Sequence, residues 1–166
     1  LRERGVDAWG IDISQYCVDH YAPESIKPFL VVKNCIELPF EDGRFDWAFT
    51  MGVLEHLSPS DVELACAEIT RVCKHGIIAP CLSTELSAHL SPDRLDPTHE
   101  TMRDYYWWKS HFPDTYEIWE GSDEAWVHAN SFRVLIIAPS ALPVGSSGYG
   151  GIERLSFLLA RELKRR

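Results

Sequence analysis

The sequence predicts an α/β protein: a doubly wound, mostly parallel sheet, followed by a strand, loop and helix that open a second α/β unit. Three observations predict it. Apolar runs of strand length recur at 6–14, 29–35, 47–53 and 77–83. A segment with helical spacing and a clear start signal lies between the last two, so strands and helices alternate as parallel crossovers require. At Phe132 the texture changes, and "FRVLIIAP" leads through a loop rich in glycine and serine into an amphipathic helix.

The run "VDAWGIDIS" (6–14) alternates apolar residues and ends in an acidic turn, as a strand feeding a loop would. A weakly helical stretch, 15–27, is closed by Pro28. "FLVVKNC" (29–35) is the second strand, and Pro39 with Asp42-Gly43 breaks the chain before the third, "WAFTMGV" (47–53). Ser58 then reads as an N-cap, with Pro59 at the first helical position and Asp61 three residues after the cap. Val62, Ala65, Cys66, Ile69, Val72 and Cys73 give that helix one apolar face; Lys74, His75 and Gly76 read as its basic last turn and C-cap. "IIAPCLS" (77–83) follows as the fourth strand. Further on, "HLSPDRLDPTH" is a proline-broken loop, "ETMRDYYWWKSHF" permits a helix and "TYEIWEG" (115–121) a strand. The resulting divisions are a first unit over 1–121, a linker over 122–131 and the second unit over 132–166.

Composition narrows the function. At 166 residues and 45% hydrophobic the chain can bury a sizeable core, and it has no apolar run long enough for a membrane span and no signal-peptide pattern. Five cysteines without a C-x-x-C pair suit small buried thiols in a reducing cytoplasm, and no metal site is expected. The net charge of -9 is uneven: residues 1–130 carry 10 Lys+Arg against 23 Asp+Glu, residues 131–166 carry 6 against 2. So acidic a body would repel a phosphate backbone, which argues against nucleic acid as a partner.

Ligands of open parallel sheets bind beyond the carboxyl ends of the strands. Asp12 stands at such an end, where an acidic residue can accept from two ribose hydroxyls or simply cap a turn. The ordered run "GIDIS…VVKNCIELPFEDGRFDWAFTMGVLEHLSPSD…EITRVCKHGIIAP" resembles class I S-adenosylmethionine-dependent methyltransferases that act on small molecules. The resemblance covers roughly residues 1–112. It implies that Asp12 holds the ribose, that Ile13 lies against the adenine, that Asn34 meets the adenine amino group with the Cys35 N–H beside it, and that Met51 and Gly52 pass the methionine moiety. Asn34 stands where the family usually has Asp, so its carbonyl would accept without a charge-assisted bond.

The same resemblance puts His99 on the acceptor side as a base for hydroxyl acceptors, oriented by Asp96, with a solvated loop histidine as the competing reading. Glu55 and His56, the family's Glu-His step, are expected to serve structure. Trp107 and Trp108 are expected in core and rim. The family's first strand and glycine-rich turn have no counterpart ahead of Val6, which implies weak cofactor binding by these residues alone. Finally, "RVLIIAPSALPVGSSGYGGIERLSFLLARELKRR" is similar to the opening of a retaining GT-B glycosyltransferase, with Gly150, Gly151 and Glu153 matching its Gly-Gly-x-Glu loop, where a donor diphosphate would meet backbone N–H groups. Together the resemblances imply methyl transfer to a small-molecule or glycan acceptor, fused to a glycosyltransferase that takes a nucleotide sugar; the alternatives are a non-catalytic domain that keeps the methyltransferase fold for partner binding, or a glycosyltransferase in which only the C-terminal unit is active.

Overall fold

The computed structural model describes residues 1–2, 5–82, 97–119 and 133–137. They form one six-stranded sheet: β1 (Asp7–Asp12), β2 (Leu30–Val32), β3 (Phe45–Met51), β4 (Cys73–Ala79), β5 (Tyr116–Ile118) and β6 (Arg133–Ile137). The spatial order is β2-β1-β6-β3-β4-β5, with every pairing parallel. This is the mostly parallel, Rossmann-like sheet expected from the sequence. Among the described residues three α-helices accompany it: α1 (Gln15–Tyr21), α2 (Pro59–Val72) and α3 (Tyr105–Lys109). None of the described helices is long and apolar enough to cross a membrane.

The α2 start is as the sequence predicts: Ser58 Oγ accepts from Asp61 N at 3.2 Å, and Val62, Ala65, Cys66, Ile69 and Val72 are buried. Its end differs. The helix stops at Val72 and Cys73 already begins β4, so Gly76 is no C-cap but a mid-strand residue. The physical reason is the neighbour strand: a Cβ on Gly76 would run into the ring of Tyr116, which lies fully buried against β4 and donates its hydroxyl to Cys73 O at 2.7 Å.

β6 departs furthest from expectation. The sequence assigns it to the head of a second unit, but it pairs with β1 on one side (Ile11↔Ile137) and β3 on the other (Thr50↔Ile137). In the doubly wound strand order 3-2-1-4-5-6, that is the place of strand one. Without β6 the facing edges of β1 and β3 would carry a row of buried, unpaired backbone groups. Its side chains suit a central strand: Leu135 and Ile137 join the large core cluster with α2, while Val134 and Ile136 pack with Ala8, Phe49 and Ile77. At its start Arg133 grips β3, donating to Asp46 Oδ2 from its backbone N at 3.1 Å and to Asp46 Oδ1 from Nη2 at 3.2 Å. The linker 122–131 and residues 138–166 lie outside the described residues.

Candidate functional site at the carboxyl edge of the sheet

Because all strands run the same way, their carboxyl ends gather along one edge. Asp12 closes β1 opposite Val32 of β2, and the chain leaves β2 through Lys33, whose N–H donates to Asp12 O at 3.0 Å. Asn34 follows two residues past β2, on the same carboxyl edge of the sheet as Asp12. Asp12 Oδ1 accepts from Ser14 N at 2.8 Å, and Ser14 in turn caps α1 by accepting from Cys17 N. Burial pushes the Asp12 carboxyl above its ordinary value, partly offset by the Ser14 N–H. Ile13 is 58% exposed, an apolar side chain held out from the same edge.

Asn34 Oδ1 accepts from Ile36 N at 3.2 Å, a local turn that uses one of the two acceptor sites on that oxygen. Cys35 is buried, and burial pushes its thiol up to about 11, so the group stays neutral and unreactive. Across the sheet, Met51 ends β3 against Ala79, and Gly52 takes a φ of 64° while donating to Ala79 O at 2.9 Å. That left-handed turn favours glycine and sends the chain into the short helical turn Leu54–His56.

Here the structure assembles residues that lie far apart in sequence. Glu55 is only 2% exposed; its Oε1 accepts from Cys81 N at 2.9 Å and its backbone oxygen from Glu100 N and Thr101 N, each at 2.9 Å. Thr101, fully buried, donates to Leu57 O at 2.7 Å. His56 Nδ1 lies 3.2 Å from Thr98 O and 2.9 Å from Thr98 Oγ1, and its ring meets His99 edge to face at 4.7 Å between centroids. His99 thus faces the Glu55-His56 step. Asp96, expected to orient His99, lies outside the described residues, as do Gly150, Gly151 and Glu153. Trp108 is fully buried in the core and Trp107 packs at its margin, as the sequence predicts.

Sequence reasoning missed Thr101 altogether. Its only signal was position, two residues past His99, and nothing local distinguishes a buried threonine that closes a loop from an exposed one. The Glu-His step itself was visible, but its union with His99 was not.

The six-stranded parallel sheet in this order defines a Rossmann-like α/β protein, a class in which ligands commonly bind beyond the carboxyl ends of the strands. Within that class, residues 1–79 match the family model described as a methyltransferase domain, so this part of the chain is similar to methyltransferases. No curated protein and no solved structure matches the chain.

Proposed function

We propose that the chain binds S-adenosylmethionine at the carboxyl edge of its sheet and transfers the methyl group to a small-molecule or glycan acceptor. The observation that carries this reading is Asp12 at the carboxyl end of β1, level with Val32 where β2 ends two residues before Asn34, inside the segment similar to methyltransferase domains. The residues fit the cofactor. Asp12 keeps acceptor capacity beyond its bond to Ser14 and is partly withdrawn from water, so it can accept from ribose hydroxyls. Ile13 offers an apolar cover for adenine, and the second acceptor site of Asn34 Oδ1 remains for the adenine amino group. When bound, the cofactor supplies an electrophilic sulfonium methyl.

What the protein contributes is orientation. Met51 and Gly52, whose left-handed turn leaves the backbone uncovered by a side chain, would face the methionine moiety. For a hydroxyl acceptor His99 takes the proton, with Asp96 as its orienting partner. Five cysteines without a C-x-x-C pair support a reducing, cytoplasmic setting. Sugar transfer from a nucleotide sugar by a C-terminal unit is a second reading, favoured by the Gly150-Gly151-x-Glu153 spacing.

Calorimetry with S-adenosylhomocysteine tests the leading reading. Asp12→Ala should weaken binding about 10- to 100-fold, the effect of losing one charge-assisted hydrogen bond or more. Binding should also weaken as pH falls through the raised Asp12 value, because protonation removes the acceptor charge. No binding by the parent chain, or no loss in Asp12→Ala, would overturn the cofactor assignment.

A further inference from the structure

The cluster of Glu55, His56 and His99 is more than a set of loop contacts. One ligand atom from each, a carboxylate oxygen and two imidazole nitrogens, lies within 4.8 Å of the other two. Burial distinguishes Glu55 from an ordinary acidic side chain: at 2% exposure, its Oε2 has no hydrogen-bond partner among the described residues, while Oε1 is held by Cys81 N–H. A buried carboxylate oxygen without a donor costs free energy unless something positive meets it.

The histidines supply no such compensation by geometry alone, but they are arranged as ligands. With its proton on Nδ1, His56 donates to Thr98 O and leaves the Nε2 lone pair directed elsewhere, the outer-shell bond that fixes ligand histidines. Thr98 sits next to His99, so one short segment positions both rings. Two backbone N–H groups, from Glu100 and Thr101, clamp that segment to Glu55 O.

We propose that Glu55, His56 and His99 form a binding site for a divalent cation of the zinc, cobalt or iron(II) type, one that favours mixed imidazole and carboxylate ligands. Metal–ligand bonds of about 2.0–2.2 Å put tetrahedral donors about 3.4 Å apart, so the three groups need to close by no more than about 1.4 Å on binding. The remaining coordination positions are free for water or for an oxygen of a ligand. Glu55 Oε1 also lies 3.9 Å from where a Cβ on Gly52 would stand, which places the site at the carboxyl edge of β3 and β4. The inference does not rest on methyl transfer, since the cation is held by these three side chains whatever binds at Asp12; with the cation bound, His99 is its ligand and no longer the base.

Cobalt(II) is the probe, added to chelator-stripped chain without cofactor. One equivalent should bind, with a visible spectrum of nitrogen and oxygen ligands and no thiolate-to-cobalt charge-transfer band. His99→Ala and His56→Ala should each weaken binding at least about tenfold, the smallest effect seen for removing even an outer-shell partner. Glu55→Gln should do the same while keeping the acceptor for Cys81 N–H; if it fails to fold, the two histidine variants decide, with circular dichroism confirming their fold. Substoichiometric binding, a thiolate band from the cysteines, or unchanged affinity in His99→Ala would overturn the proposal.

Discussion

Strands β1 to β4 and strand β6 are made from the same material, short runs of Val, Ile, Leu, Ala and aromatic residues, but they reach the sheet by different routes. The first four follow one another within residues 7–79, each separated by a connection whose caps and turns are written locally. β6 comes from far away: Arg133 and the Asp46 it binds are 87 positions apart. What draws it in is the slot between β1 and β3, where strands spaced about 4.8 Å apart leave room for one more and two edges need partners. An apolar run announces that a strand exists, whereas its place in a sheet depends on which edges elsewhere are vacant.

That difference can be broken most directly at Leu135 and Ile69, both fully buried, one in β6 and one in α2. Truncating either to Ala should cost about 2–5 kcal/mol if both serve the same core. Urea unfolding followed by tryptophan fluorescence and by circular dichroism should then show a single transition, shifted to lower urea in both variants. If β6 belonged to an independent unit, Leu135→Ala would leave the transition of residues 7–79 where it was. The two outcomes separate the sheet seen here from the division at residue 121 read from sequence.

Much of the first region was legible because its signals are local. Ser58, Pro59 and Asp61 mark the α2 start in four residues, and Asp12 announces itself by ending an alternating run. Gly76 was legible as a special position but not as the right one: a glycine after a helical stripe suggests a C-cap, and only the ring of Tyr116, forty positions later, makes it a strand residue. The same holds at the site. Asp12 and Asn34 could each be placed at the end of a strand because each follows an apolar run, while His99 meets Glu55 and His56 through a loop whose path no periodicity describes.

Gly76→Ala sharpens the comparison at the other seam, between residues 1–79 and the β5 strand. The added methyl group meets the Tyr116 ring, which is locked by its hydroxyl bonds to Ile69 O and Cys73 O and cannot swing away. Overpacking of this kind costs about 1–3 kcal/mol, so the melting temperature should fall by several degrees. The double variant Gly76→Ala, Tyr116→Leu should recover part of the loss, because the smaller side chain makes room; no recovery would mean that β5 does not press on β4 as described.

The smallest effect, and the most specific, is at the Asp46–Arg133 pair that ties β6 to β3. The hydrogen bond from Arg133, with a further one from Lys74, holds the Asp46 carboxyl well below its ordinary value of 3.8. Glu68 is likewise lowered by Arg71, but that pair lies wholly within α2. A carboxylate whose folded-state value is depressed contributes stability above its unfolded value, and the contribution is lost as pH falls towards the folded value. Both acids therefore give stability that is present above about pH 4 and fades below it. Since Asp46 is 21% exposed and Arg133 38%, solvent screening limits the pair to about 1 kcal/mol or less. Asp46→Asn should flatten the acid limb of the stability curve and respond to salt less than the parent does, and Glu68→Gln should flatten it by its own separate share. In a Leu135→Ala background, where β6 is loosened, the Asp46 share should shrink while the Glu68 share persists. Equal persistence of both would show that Asp46 draws its low value from Lys74 within the first region rather than from the strand that fills the slot.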